Sequence, residues 1–239
     1  MFQFNIDPVL FNFGNLEIRY YGLVYFFGVL FVYWHLKNKK VMDKEELEKF
    51  MLYLVVGMFL GARLLGLLSQ NWNPFTNPIE FFKVWDGGMS FFGGFLGGFI
   101  GSYIVLKKRT IEIGDYVVVP VSFVLIFGRL ANFTNQELIG RISDVSWCFE
   151  FSNYFGCRHP YTLYAALGHL VLFLVVYFVS RKNYRRGKVL FTFIIGYGIM
   201  RFITDFFREN PLIFGLTGWQ YFSISFVIVG IYLLKKIKR

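Results

Sequence analysis

Seven stretches of mainly apolar residues, at about 18–36, 50–68, 89–106, 115–133, 162–180, 189–206 and 219–234, alternate along the chain with short polar or basic segments. Each reaches, or nearly reaches, the roughly 20 residues a helix needs to cross about 30 Å of hydrocarbon. The pattern predicts an all-α integral membrane protein with seven transmembrane helices. No long linker, low-complexity tract or internal repeat breaks it, so residues 1–239 are expected to form a single domain. Met1 leads into a mixed segment with Asp7 and Pro8 rather than a basic start and a short apolar core, so the first apolar run is expected to stay in the mature protein.

Composition agrees: of 239 residues, 56% are hydrophobic and only 17% charged, too apolar for an ordinary soluble domain. The formal net charge of +10 would suit nucleic acid on a soluble face, but these basic residues lie between apolar runs and point to lipid headgroups, so no nucleic-acid partner is expected. Seventeen of the 25 follow alternate helices, at 37–49, 107–109, 181–188 and 235–239. The positive-inside rule makes that side cytoplasmic, which sets the N-terminus outside and the C-terminus in the cytoplasm.

Three of the other eight basic residues call for an explanation. Arg63, Arg129 and Arg201 fall within or at the edges of helices, where an arginine costs roughly 2.5–3.5 kcal/mol on insertion scales and is expected to turn towards a partner, a cavity or a substrate. The stretch GRLANFTNQELIGR at 128–141 sets Arg129, Asn132, Asn135 and Glu137 within about two helical turns. Arg129 and Asn132, three apart, share a helix face and make a donor-rich patch able to grip a phosphate or carboxylate. The plainer reading is a helix end with a snorkelling arginine. In the sixth helix Tyr197, Arg201 and Asp205 recur at four-residue intervals on one stripe. An Arg201–Asp205 pair kept for stability alone would be poorly favoured, because burying two charges often costs more than an apolar replacement; the stripe is read as part of a site.

Glycine-rich WDGGMSFFGGFLGGFIG at 85–101 divides by function. Gly94, Gly97, Gly98 and Gly101 would let helices approach closely, whereas Gly87 and Gly88, ahead of the helix, would offer free N–H groups to an anionic headgroup. Cys148 and Cys157, nine apart in an outer segment, permit a disulfide without requiring one. His35, His159 and His169 are scattered and no metal-ligand spacing occurs, so no metal is expected. In this topology Tyr21, Gly87, Gly88, Arg129 to Arg141 and Asp205 come from four segments and meet at one depth in the outer half of the membrane. A basic site there that opens sideways would suit an anionic phospholipid.

DPVLF at 7–11, IRYYGL at 18–23, GAR at 61–63, DGGMSF at 86–91 and the 128–141 stretch follow one another in order. HP at 159–160, YGIMRFITDFFRENP at 197–211 and TGWQYFS at 217–223 complete a series that runs nearly end to end. On these motifs the chain resembles the prolipoprotein diacylglyceryl transferase family. The resemblance implies a seven-helix enzyme of the cell (cytoplasmic) membrane, with its N-terminus outside and its active site towards the outer leaflet. It also implies transfer of a diacylglyceryl group from phosphatidylglycerol to the lipobox cysteine thiol of a preprolipoprotein signal peptide, forming a thioether and releasing glycerol phosphate without a cofactor. The family's critical residues fall on Tyr21, Arg129, Asn132, Glu137, Gly140, Arg201 and Asp205, the last usually glutamate in the family. Phosphate is assigned to Arg129 and Arg201, and glycerol hydroxyls or phosphate to Asn132 and Asn135. Positioning of the arginines falls to Glu137 and Asp205, orientation of headgroup or thiol to Tyr21, and a backbone constraint to Gly140. Arg63, Gly87, Gly88 and Tyr197 complete the expected substrate contacts.

Two departures stand out. Phe92 occupies the position where the family commonly has a histidine that has been a candidate base, and Thr162, Leu163, Tyr164 and Ala165 follow the His-Pro pair where the family tends to have Gln, Leu, Tyr and Glu. Tyr21, Glu137 or Asp205 could then take the thiol proton, or neighbouring arginines could lower the thiol pKa enough that no strong base is needed. The alternatives are a divergent relative that binds lipid or lipoprotein precursor without turnover, and a small-solute transporter, for which paired broken helices in repeated halves are missing.

Overall fold

The computed structural model describes residues 2–237 except 5, 8, 14, 15, 69, 71, 74, 84–88, 153, 183 and 184; for 4, 12, 13, 16–19, 21, 91 and 92 it describes the backbone only. Among the described residues there are seven α-helices: α1 (Tyr20–Lys39), α2 (Lys44–Leu68), α3 (Phe91–Leu106), α4 (Thr110–Thr134), α5 (Tyr161–Ser180), α6 (Lys188–Thr204) and α7 (Gly218–Ile237). Five stretches are long and apolar enough to cross a membrane: Lys44–Leu68, Gly93–Thr134 (α3 and α4 taken together), Tyr161–Ser180, Lys188–Phe207 and Gly218–Ile237.

The chain is not purely helical. Strand β1 (Phe2–Phe4) pairs in parallel with β4 (Phe149–Phe151), which pairs antiparallel with β5 (Cys157–Arg158). Two hairpins, β2 (Val9–Phe13) with β3 (Leu16–Arg19) and β6 (Leu212–Ile213) with β7 (Leu216–Thr217), complete the strands. A disulfide joins Cys148 to Cys157 across the β4–β5 ribbon. Two helices, α2 and α4, also begin well before the apolar runs suggest. α2 starts at Lys44 because Asp43 accepts the Glu46 N–H at 2.8 Å and the following Lys, Glu and Leu residues favour helix, so much of the basic segment expected between the first two helices is helical.

The chain folds as two compact units, one made of Met1–Val32 with Gly114–Arg239 and the other of Tyr33–Ile113. In the second unit α2 and α3 pack antiparallel through glycines. A Cβ on Gly57 or Gly97 would collide with the other's carbonyl, and the same holds for Gly61 against Gly93; at Gly101 it would strike the carbonyl of Tyr53. Such an approach leaves no room for side chains and maximises dispersion between backbones. The Arg109 guanidinium spans both carboxylate oxygens of Glu46 at 2.5 and 2.8 Å and donates to the Val41 carbonyl at 2.8 Å, which closes this unit at its charged end.

In the first unit the buried core is built by Val118 and Val119 of α4, Leu172 and Val176 of α5, and Val189, Tyr197 and Met200 of α6. Asp115 on α4 is 2% exposed and caps α6 from outside, its carboxylate accepting the N–H groups of Gly187 at 2.6 Å and Leu190 at 2.8 Å. Negative charge at a helix N-terminus is favourable there, and Gly187, at φ 87°, supplies the left-handed turn that leads in. At the opposite end of α6, Thr217 and Gln220 form a reciprocal capping box for α7: the Gln220 N–H donates to Thr217 Oγ1 at 3.1 Å and the Thr217 N–H to Gln220 Oε1 at 2.9 Å.

Candidate functional site

Four helix ends of the first unit meet: the C-terminal ends of α4 and α6 and the N-terminal ends of α5 and α7. The end of α4 supplies a chain of side chains. Glu137 accepts from Asn132 Nδ2 at 2.9 Å and from Asn135 Nδ2 at 3.1 Å. Because a carboxylate only accepts, both amides must turn their nitrogens to it. That frees Asn132 Oδ1 to accept from Arg129 Nη1 at 3.5 Å, and it leaves Asn135 Oδ1 buried without a partner among the described residues. The Glu137 N–H donates to the Asn132 carbonyl at 3.0 Å, and Gln136 and Leu138 on either side take left-handed φ of 53° and 55°. The turn thereby folds the carboxylate back over the helix it follows.

Arg129 itself donates from Nε to His169 Nε2 at 3.4 Å and interacts with the Tyr197 hydroxyl, joining α4 to α5 and α6. One turn along α6, Arg201 hydrogen-bonds the Tyr161 hydroxyl and meets Asp205 Oδ1 at 3.4 Å. The rings of Trp219 and Tyr161 flank its guanidinium at 5.1 and 5.7 Å. Asp205 is fully buried and receives Thr217 Oγ1 and Asn210 Nδ2, the latter at 3.3 Å. The Thr217 hydroxyl thus spends its one proton on Asp205 while its oxygen caps α7, so a single side chain registers α7 against α6.

Arg208 completes the arrangement from just beyond α6, its guanidinium 5.7 Å from the shared Tyr161 ring. Arg129, Arg201 and Arg208 lie within one another's repulsive field, and Asp205 is the carboxylate that offsets Arg201 and Arg208. Three cations against one buried anion is an arrangement that packing alone would not favour. An oxyanion with several acceptor oxygens would satisfy it.

The backbone around these groups is closely packed. Residues 139–142 lie between 207–209 and 157–159, with the Arg141 N–H donating to Phe207 O at 2.9 Å, Glu209 N–H to Ile139 O at 3.2 Å and His159 N–H to Arg141 O at 3.0 Å. Gly140 is required in this ladder because a Cβ would collide with the His159 carbonyl. Arg158, 6% exposed, binds the Gly140 carbonyl at 3.1 Å and pairs with Glu209. His159 holds the Tyr164 hydroxyl at 3.2 Å, and burial pushes its imidazole below the usual 6.5, partly offset by Asp144.

Of the residues singled out in the sequence, Arg129, Asn132, Asn135, Glu137, Gly140, Tyr197, Arg201 and Asp205 gather here. Arg63 lies in the other unit, 1% exposed, its guanidinium donating to the carbonyls of Glu80, Phe81 and Lys83 at 2.5, 3.1 and 2.8 Å. Those bonds tie the segment after α2 back onto the helix and give Arg63 a structural occupation. Gly87 and Gly88 lie outside the described residues, as do the side chains of Tyr21 and Phe92. Four residues of the cluster escape sequence reasoning. Arg208 lies within the motif at 197–211 but is given no role there, and His169 fits no metal spacing. Tyr161 carries no signal; Thr217, within the TGWQ motif, does.

The family model described as prolipoprotein diacylglyceryl transferase matches residues 8–235. Among known proteins, the chain is 38% identical over 250 residues to the phosphatidylglycerol–prolipoprotein diacylglyceryl transferase of Idiomarina loihiensis, covering 98% of this chain and 94% of that one. It is 40% identical over 253 residues to the protein of the same name in Ehrlichia ruminantium, with 97% and 96% covered. The corresponding Vibrio cholerae protein is 38% identical over 247 residues, with 96% and 91% covered.

Proposed function

This chain belongs to the prolipoprotein diacylglyceryl transferase family, and we propose that it moves a diacylglyceryl group from phosphatidylglycerol to the lipobox cysteine of a preprolipoprotein in the cell membrane. The observation that carries the proposal is the surplus of guanidinium groups around Asp205 where α4, α5, α6 and α7 meet.

In this reaction the cysteine sulfur bonds to the terminal glycerol carbon of the diacylglyceryl group. The bond from that carbon to the phosphate oxygen breaks, and glycerol phosphate leaves with the electron pair. Arg129, Arg201 and Arg208 take the phosphate oxygens and stabilise the charge that gathers on them, which counts for more in a water-poor site. Asp205 and Glu137 position the arginines, the latter through Asn132. The unpartnered Asn135 Oδ1 accepts a hydroxyl of the glycerol headgroup. The same positive field stabilises the cysteine thiolate, so its proton can pass to Glu137, which is exposed, or to water. Asp205 is less suited to that task because its oxygens already hold Thr217, Asn210 and Arg201. Tyr21 orients the headgroup in this proposal.

The chain crosses the membrane seven times, with its N-terminus outside, its C-terminus in the cytoplasm and the site in the outer leaflet. Two observations support this orientation: in the first unit the basic residues at 181–188 and 235–236 lie at the ends of α5, α6 and α7 away from the site, and the Cys148–Cys157 bridge, in the segment beside the site, belongs on an oxidising side. The test is mass spectrometry of a lipobox peptide incubated with the purified protein and phosphatidylglycerol. A diacylglyceryl thioether is expected; lipid binding without any adduct would indicate a relative that has lost turnover and would overturn the proposal.

A further inference from the structure

His169 is fully buried on α5, beside the phosphate site but outside every role assigned so far. Its Nε2 faces Arg129 Nε at 3.4 Å, and its ring packs on Tyr197 with centroids 5.7 Å apart. A guanidinium can only donate, so Nε2 must be the acceptor and the neutral ring carries its proton on Nδ1. That nitrogen has no hydrogen-bond partner among the described residues. For stability alone the arrangement is poor: a buried donor is left unsatisfied, and a leucine of similar size would avoid the loss.

We propose that His169 is a positioning residue for phospholipid binding, holding the Arg129 guanidinium by its Nε so that the Nη groups form the fork presented to the phosphate. Asn132 fixes one edge of the same guanidinium and Tyr197 packs beside both, so Arg129 has one orientation before lipid arrives. The lone pair on Nε2 is occupied, and the proton on Nδ1 must stay, so His169 is not the base for the cysteine thiol. The acceptor nitrogen is its working part. The role assigned to His169 rests on the phosphate role proposed for Arg129.

The experiment compares wild type with His169→Leu, His169→Gln and His169→Asn, each purified intact in detergent, by calorimetric binding of glycerol phosphate and by thioether formation across pH. Glutamine can place its amide oxygen near the Nε2 position; asparagine reaches only the Nδ1 position. His169→Leu and His169→Asn should weaken glycerol phosphate binding by about tenfold to a hundredfold, as for loss of a bond to a charged group. His169→Gln should bind within about threefold of wild type, and His169→Leu should melt no lower than wild type. The loss should appear in KM for phosphatidylglycerol more than in kcat. Binding by His169→Leu within about twofold of wild type would overturn the proposal, as would a fall in His169→Gln as large as in His169→Leu. An acid limb of the rate profile that His169→Gln abolishes would also overturn it, by making His169 the base. If His169→Leu fails to fold, glutamine against asparagine decides. Wild-type protein that binds glycerol phosphate but never forms thioether would sink the transferase proposal and leave this one standing.

Discussion

Arg201→Met isolates the contribution of one guanidinium. Methionine keeps apolar contact with the Trp219 and Tyr161 rings, which lie 5.1 and 5.7 Å from the arginine, while removing all its donors and its charge. Loss of a donor aimed at charge that develops in the transition state costs about 2.7–4 kcal/mol, a factor of about 10² to 10³ in kcat. Stability should suffer less. Stripping a buried carboxylate of its partner usually costs about 3–5 kcal/mol, but Asp205 keeps Thr217 and Asn210 as donors. Its contact with Arg201 is also long, at 3.4 Å, so a loss of about 1.5–3 kcal/mol is expected. The assay is single-turnover thioether formation on a lipobox peptide, with thermal unfolding in detergent as the control. Asp205→Asn alone should lower turnover about 10- to 100-fold by letting Arg201 drift, but added to Arg201→Met it should change little, because Asp205 acts through the arginine. Arg201→Met retaining more than about a tenth of wild-type kcat/KM would refute the assigned role, and so would an Asp205→Asn effect that multiplies fully onto it.

Further outcomes follow from other contacts. Gly97→Ala should destabilise the Tyr33–Ile113 unit by about 3 kcal/mol, since its Cβ meets the Gly57 carbonyl, whereas Gly22→Ala, with nothing within 4 Å, should be neutral or slightly stabilising; thermal unfolding distinguishes them. Replacing Cys148 and Cys157 together by serine should cost about 2.7 kcal/mol through loss of loop closure, and in the native protein neither thiol should alkylate until the bridge is reduced. The lowered His159 pKa means that the unfolded chain binds its proton first as pH falls. Stability should be full above the ordinary value of 6.5 and decline as pH drops from there through the lower folded value, and His159→Gln should flatten that decline. An acid loss unchanged in His159→Gln would assign it to other groups.

Hydropathy makes the helices legible because each apolar run is long and few charges interrupt it. It cannot reveal the strands: β4 and β5 are three and two residues long, too short for an alternating pattern, and their pairing depends on a bridge and on the distant strand β1. Arg129, Asn132, Glu137, Arg201 and Asp205 are visible because a polar group in or beside an apolar helix is costly unless something binds it. Arg63 gives the same signal, and the bonds described for it go to the carbonyls of a returning segment. Spacing alone cannot separate a guanidinium aimed at a ligand from one aimed at backbone. His169 and Tyr161 are invisible for the converse reason, since a neutral ring in an apolar helix looks like core until its neighbours are known.

Asp115 reaches across to the start of α6 from the end of the unit remote from the arginines, about 21 Å of helix away from Arg201. A helix that slipped by one residue on that anchor would rotate by about 100°, carrying Tyr197 and Arg201 off the face they share with α4 and α5. The orientation of the arginine end is therefore set in part at the opposite end of α6, by a buried aspartate. Whatever loosens that distant grip would turn Tyr197 and Arg201 away without altering a single atom of the residues proposed to hold phosphate.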